Sequence, residues 1–206
     1  MGLRAALRQW FGSSPQSPDY LIAGLGNPGG DYRNSRHNAG FMVVDRLSEV
    51  CQIPLDQKRF TCRFGIGTVA GRKVVFAKPQ AFMNRSGPPV LRLMSYYGIS
   101  GCDLLIIHDD IDIAFGRIKI KEKGGHGGHN GVRSLMEALG NGDFPRLRIG
   151  VGRPGRGGDV IQYVLEPFRA GEQKQLDTIM DRAVQAVVTV LSHGAKFGMN
   201  RFNRKP

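Results

Sequence analysis

Short apolar runs of strand character alternate with amphipathic helical patterns along this chain from Tyr20 to His193, and that alternation admits few folds. Strand-like runs fall at Tyr20–Leu25, Arg63–Val69, Lys73–Ala77, Leu104–Ile107, Arg117–Lys121 and Leu147–Val151, most of them rich in β-branched or aromatic residues and bounded by turn formers. Between them, Ala39–Val50 and Pro88–Tyr97 have helical periodicity, the second opened by proline and closed by Gly98. Val132, Leu135, Met136 and Leu139 recur at the spacing of one helical face, and Gly140 stops that helix. The longest pattern runs from Glu172 to His193, with Leu176, Ile179, Met180, Ala183, Val187, Val190 and Leu191 on one face and Gly194 at its end. Strands that alternate with helices need a sheet covered on both faces. The pattern therefore predicts an α/β fold, a single-domain three-layer sandwich with a mixed twisted sheet flanked by helices. The close Arg63–Ala77 pair reads as an antiparallel hairpin, and the helix-linked strands as parallel. No linker interrupts residues 20–194, so 20–206 reads as one domain and 1–19 as a flexible N-terminal extension.

Such folds place function in loops at strand ends. The first, LIAGLGNPGGDYRNSRHNAG from Leu21 to Gly40, matches Gly-x-Gly-x-x-Gly at Gly24, Gly26 and Gly29. A dinucleotide site needs the third glycine to open a helix packed on the strand. Here a polar stretch follows Gly29 and the helical pattern begins only at Ala39. The nucleotide reading fails. Asn27-Pro28-Gly29-Gly30 is instead a turn at a strand's carboxyl end, from which a long polar loop leads to His37. Three further loops are loaded with polar residues: Lys78–Asn84, His108–Asp112 and Gly124–Gly131, the last reading GGHGGHNG. If all four lie on one edge of the sheet, one pocket collects Asn27, His37, Asn84, Asp109 and Asn130.

Each of these residues has a plainer role open to it. A loop histidine donates readily to a backbone carbonyl. Aspartate caps helices, and asparagine forms turns. His126 and His129 with Asp109, Asp110 and Asp112 form a candidate metal set. Yet His-x-x-His on a glycine loop lacks the helical geometry that brings two imidazoles onto one cation, so no metal or other cofactor is expected.

The charge balance is less ambiguous. The sequence of 206 residues carries 29 Lys+Arg against 17 Asp+Glu, a net charge of +12, which favours a polyanionic partner, most simply nucleic acid. No apolar run approaches the ~20 residues that span a bilayer, so no membrane partner is expected. Cys51, Cys62 and Cys102 share no Cys-x-x-Cys spacing and are odd in number, which argues for a reducing, cytoplasmic compartment. Residues 1–19 contain Arg4 and Arg8 and no acid before Asp19. An organellar location is the alternative, should they act as a transit peptide.

Taken together, GLGNPG…Y…RHNAG, FMN-x-SG, HDD-x-D and GGHGGHNG, in this order from about Tyr20 to Asn200, resemble the bacterial-type peptidyl-tRNA hydrolase family. The resemblance implies cleavage of the ester joining a peptidyl group to the 3′ end of tRNA, by a monomer with no metal and no obligate protein partner. It implies that His37 is the catalytic histidine, that Asp109 orients it, and that Asn27 discriminates blocked from free aminoacyl ends. It further implies substrate contacts at Tyr32, Phe82, Met83, Asn84 and Asn130, and a tRNA phosphate held by Lys121 and Arg148. The chain departs from the family pattern in its longer extension, in Asp110 where glutamate is common, and in Lys123 where glycine is frequent.

The chemistry of these residue types is consistent with that reaction. An aminoacyl ester is already activated, so water needs a base and the developing oxyanion needs donors. A neutral His37 held through one ring nitrogen can take the proton, and uncharged amides can bind peptide groups or an oxyanion. Phe82 and Tyr32 can stack on unpaired 3′ bases. No base is assigned to Ser35 or Ser86, so no covalent intermediate is expected. The competing readings are a non-catalytic RNA-binding protein on the same scaffold and, more distantly, a nicotinamide-dependent enzyme.

Overall fold

The computed structural model describes residues 17–204; most of the predicted extension, residues 1–16, lies outside them. Seven strands form one sheet: β1 (Tyr20–Gly24), β2 (Gln57–Arg59), β3 (Cys62–Val69), β4 (Arg72–Pro79), β5 (Leu104–Asp110), β6 (Ile118–Lys121) and β7 (Arg146–Gly150). Their spatial order is β2-β3-β4-β1-β5-β7-β6. Among the described residues the α-helices are α1 (Ala39–Cys51), α2 (Gly87–Tyr97), α3 (Asn130–Leu139), α4 (Val160–Leu165), α5 (Ala170–His193) and α6 (Ala195–Phe202).

The period-two alternation of the central strands feeds two cores. Ile22, Phe76, Leu105, Ile107, Leu147 and Ile149 point to the face covered by α1, α5 and α6. Leu21, Ala23, Val75, Ala77, Leu104 and Ile106 point to the face covered by α2 and α3. This is the three-layer α/β arrangement the sequence predicts, with a central sheet buried on both sides. The expected hairpin is antiparallel, with Cys62 paired to Pro79 and Val69 to Arg72. Strands β4, β1, β5 and β7 run parallel.

One strand departs from expectation. β6 is linked to β7 by a helix, yet the two are antiparallel, with Ile118 opposite Ile149 and Lys121 opposite Arg146. A helix returns the chain between parallel strands only when the strand before it ends at the edge where the helix starts. β6 ends at the opposite edge, and the polar loop 122–129 climbs the sheet before α3 begins. The glycine-rich segment is thus the return path, and β7 is inserted between β5 and β6.

Gly24 of the failed nucleotide fingerprint, with Gly40 at the start of α1, has a packing reason. A Cβ on Gly24 would sit 2.1 Å from the Gly40 carbonyl oxygen, and one on Gly40 would sit 2.3 Å from the Ile107 oxygen and 2.5 Å from the Leu25 nitrogen. The first turn of α1 therefore lies directly on β1 and β5, and the Phe41 N–H donates to the Leu25 carbonyl at 3.2 Å. That contact sets where the residues just before α1 stand. Gly40→Ala is expected to cost roughly 3 kcal/mol or more, because backbone on both sides cannot yield as a side chain can. Urea unfolding of the variant checks this; a loss under about 1 kcal/mol would show that the packing has slack.

Candidate active site

The chain leaves β1 for α1 on one face and leaves β4 for α2 on the other, so a crevice opens at the carboxyl ends of these strands. β5 ends beside them. The cleft there has a volume of about 680 Å³. Asn27, His37, Asn84, Asp109 and Asn130, which the sequence reading gathers into one pocket, all line it. Phe82 and Met83 also line it, with Phe82 exposed and Met83 buried. Tyr32 is not among the residues lining the cleft; it is half-buried in the short turn Gly30–Tyr32.

His37 stands in a single 3-10 turn, Arg36–Asn38, that runs directly into α1. Its Nδ1 lies 2.9 Å from Asp109 Oδ1, and so does Nε2 of His129. The proton positions follow from the neighbours. His129 is the N-cap of α3, and its Nδ1 accepts from the backbone N–H groups of Gly131 (3.1 Å) and Val132 (3.3 Å). Its proton therefore sits on Nε2 and is donated to Asp109. His37 donates through Nδ1, which leaves its Nε2 lone pair free; among the described residues that atom makes no hydrogen bond. Burial by itself lowers the His37 pKa, but the charge of Asp109 and its hydrogen bond outweigh burial and raise it above the ordinary value. Burial by itself raises Asp109, whereas its interactions with His37 and His129 hold the carboxyl well below its ordinary range. His108 is fully enclosed, with Nδ1 donating to the Asp109 carbonyl at 2.7 Å; burial pushes its pKa well down and keeps the ring neutral.

Asn27 is built in from three directions. Its N–H donates to Asn38 Oδ1 (2.7 Å), its carbonyl accepts from Asn38 Nδ2 (3.0 Å), and its Oδ1 accepts from the Met83 N–H (2.7 Å). With Oδ1 engaged, the NH₂ end of the amide is what remains for a ligand: Asn27 offers donors. Asn84 and Asn130 are exposed, and their side chains make no hydrogen bond among the described residues.

His37, Asp109 and His129 each offer one ligand atom, and these lie within 4.8 Å of one another, close enough to suggest a cation site. The donor set does not suit one. A metal-bound histidine normally donates its second ring N–H outward. Nδ1 of His129 instead accepts two backbone N–H groups, so a metal on Nε2 would require an imidazolate. The two hydrogen bonds to Asp109 account for the approach of the three residues.

Lys121 and Arg148 lie outside the cleft, on the face of β6–β7 opposite Ile118, Ile120, Leu147 and Ile149. They are diagonal neighbours there: Lys121 faces Arg146, and Lys119 faces Arg148. Lys121 stands three residues, about 10 Å along the strand, from the level of Asp109. Nε of Arg148 is 2.6 Å from Asp110 Oδ2, whereas Lys121 is exposed.

Three features in and around the cleft are not foreseen from the sequence. His129 reads there only as a possible metal ligand, although its place just before a helix marks a cap. Arg146, buried and outside the cleft lining, holds the glycine loop through the carbonyls of Gly124 and Gly125 and ties it to the Gly142 carbonyl beyond α3. The short helix α4 contributes Val160, Ile161, Val164 and Leu165 to one wall. Its sequence signal is an Asp159 N-cap before an apolar run too short to tell from a strand.

Fold and site together define the class: an α/β protein whose cleft holds a histidine hydrogen-bonded to a buried carboxylate among uncharged amides. The comparisons narrow it. Residues 21–206 match the family model described as peptidyl-tRNA hydrolase. A peptidyl-tRNA hydrolase of Bacillus subtilis is 45% identical over 185 residues, covering 90% of this chain and 98% of the relative. One from a Synechococcus strain is 47% identical over 184 residues, covering 89% and 82%. The crystal structure of the Acinetobacter baumannii peptidyl-tRNA hydrolase superposes with a TM-score of 0.84 at 39% identity, covering 93% of this chain and 97% of that one. The chain belongs to the peptidyl-tRNA hydrolase family.

Proposed function

We propose that this chain hydrolyses the ester between a peptidyl, or N-blocked aminoacyl, group and the 3′ end of tRNA, with His37 as the general base. The observation that carries the mechanism is the one-sided engagement of His37: Nδ1 is bound to Asp109 and Nε2 is left toward the cleft. His37 Nε2 takes a proton from water, whose oxygen bonds to the ester carbonyl carbon. The amide NH₂ of Asn27 and the side chains of Asn84 and Asn130 are the donors available to the oxyanion and to the peptide. On collapse the bond to the 3′ oxygen breaks, and the imidazolium returns the proton to that leaving oxygen. Asp109 orients the ring and stabilises its charged form. No step calls for a metal or other cofactor.

Phe82, exposed on the cleft lining, is a stacking surface for a 3′ base, and the buried Met83 lines the cleft with it. Tyr32 lies outside the cleft and serves, in this reading, as a second contact for the 3′ strand along the Asn27 turn. The reading carries with it a monomer acting in the cytoplasm; among the described residues no helix is long and apolar enough to cross a membrane.

The test is turnover by the purified protein of N-acetyl-aminoacyl-tRNA against free aminoacyl-tRNA, without added metal. The blocked substrate should be cleaved strongly in preference. No turnover of either would return the chain to the non-catalytic RNA-binding reading. In the same assay Asn27→Asp should shrink the preference by roughly tenfold, the worth of one charge-assisted contact. Aspartate keeps the acceptor for the Met83 N–H but puts an anionic oxygen where the NH₂ group was, which attracts a free α-ammonium. An unchanged ratio removes Asn27 from discrimination.

Lys121 and Arg148 are assigned to tRNA phosphate. Lys121→Ala and Arg148→Ala should raise KM for full-length tRNA with little change in kcat, and each should flatten the salt dependence by ~0.7–0.9 in log–log slope. A peptidyl group on a terminal trinucleotide should feel neither change. Arg72→Ala and Lys174→Ala, both on exposed residues, are the controls; equal effects at all four positions would mean that only net charge matters.

A further inference from the structure

Arg36, the residue before His37, is 0% exposed. Its guanidinium donates through Nη1 to the carbonyls of Tyr163 (3.2 Å) and Glu166 (3.4 Å) and through Nη2 to Glu172 Oε2 (2.7 Å). The same group lies 4.2 Å from the centre of the Tyr163 ring and 5.6 Å from that of Phe168. Tyr163 and Glu166 are the last turn and C-cap of α4, so Arg36 caps that helix with a positive charge where its unsatisfied carbonyls gather. The backbone makes the same connection: the Arg36 N–H donates to Glu166, the Phe168 N–H donates to Asn34, and Ser35 bridges to Pro167. Only six residues long, α4 is too short to persist on its own. Tyr163 also donates its hydroxyl to the Val151 carbonyl, and the Val151 N–H donates to Asp110. The last turn of α4 is thus tied both to the His37 turn and, through the Tyr163 hydroxyl and Val151, to the strand that carries Asp109.

The Arg36 side chain is not what stability alone would select. Its Nε is buried without a partner. Its ion pair is enclosed on the arginine side, and apolar side chains of similar volume usually serve a core as well or better than such pairs. What an apolar side chain cannot supply is a planar fork that fixes two carbonyls and a carboxylate at once.

We propose that Arg36 is a positioning residue that locks the α4 wall of the cleft to the turn carrying His37, so that wall and base form one rigid unit around the substrate. The inference rests on the assignment of the reaction to this cleft, but the motion it forbids can be measured without the reaction.

The test uses Arg36→Met, Arg36→Lys and Glu172→Gln in the full chain. Hydrogen exchange is followed by mass spectrometry across residues 160–168, alongside kcat, KM and the unfolding midpoint. Arg36→Met should keep or raise the unfolding midpoint, yet exchange in 160–168 should speed up at least tenfold and kcat/KM per folded molecule should fall at least tenfold. Arg36→Lys keeps the charge without the fork and should lie between Arg36→Met and wild type. Glu172→Gln should show the same direction more weakly; with Arg36→Lys it decides the matter if Arg36→Met does not fold. Exchange at wild-type rates in the folded variants overturns the lock whatever the activity. So does activity lost only in proportion to stability. Faster exchange in a protein that hydrolyses no peptidyl-tRNA would leave the lock standing and sink the functional assignment instead.

Discussion

His37→Ala should lower kcat for an N-blocked aminoacyl-tRNA by ~10²–10⁴-fold, the usual contribution of a positioned acid–base group, while leaving tRNA affinity close to wild type. The separation follows from where the parts sit. The cations assigned to phosphate lie on the β6–β7 face, and removing the imidazole touches none of them. The stability cost should stay modest, because the His37 side chain, although only 12% exposed, makes a single hydrogen bond among the described residues, to Asp109. That bond is not trivial to lose, since Asp109 is buried and retains only the His129 donor. The unfolding midpoint should therefore be recorded with the kinetics. A folded His37→Ala protein with near wild-type turnover would end the proposed mechanism. A loss that appears only in KM would move His37 from catalysis to binding.

The fold is largely legible in the sequence because its signals are periodic. β1, β4 and β5 announce themselves through apolar runs that face two cores, and α5 through a stripe that places Ile179, Ala183, Val187 and Val190 in one of them. Strand β2 is not legible: Gln57, Lys58 and Arg59 are all exposed, and an edge strand with no buried face leaves no alternation to read. The direction of β6 escapes the sequence for a different reason. Nothing local to Ile118–Lys121 says whether the helix that follows starts at the same edge of the sheet; the length of loop 122–129 decides it. The site shows the same division. Asn27, His37, Asn84, Asp109 and Asn130 stand out as polar residues in loops at strand ends, a signal carried by sequence neighbours. The meeting of His37 and His129 on one oxygen of Asp109, and the fork of Arg36 on Tyr163, Glu166 and Glu172, depend on groups far along the chain. Only the folded chain brings those together.

Asp109→Asn should be milder than the loss of a carboxylate beside a catalytic histidine usually is, and the reason is His129. Where such a substitution lets the amide NH₂ face the ring, the histidine is driven into the wrong tautomer and kcat falls by about 10⁴. Here Nδ1 of His129 is occupied by two backbone N–H groups, so its Nε2–H must find an acceptor at position 109. That demand turns the amide oxygen toward His129. Because His37 meets the same Oδ1, it too keeps an acceptor, and its free lone pair stays on Nε2. Asp109→Asn alone should therefore cost ~10–10²-fold in kcat. Its pH profile should also move, with a definite sign. Burial lowers the His37 pKa, and the charge of Asp109 with its hydrogen bond raises it; in the amide variant the charge is gone and only a weaker, neutral hydrogen bond opposes burial, so the pKa falls. The base form then persists to lower pH, so the acid limb of kcat shifts downward even as the maximum drops. Adding His129→Ala should remove the constraint on the amide, let its NH₂ group turn to His37, and carry the combined loss toward ~10⁴. The losses should be strongly non-additive: His129→Ala by itself leaves the Asp109 carboxylate on His37 and should cost far less than the same change made on top of Asp109→Asn. Additive losses, or an acid limb that fails to move down in Asp109→Asn, would show that His129 does not set the orientation of the group at 109.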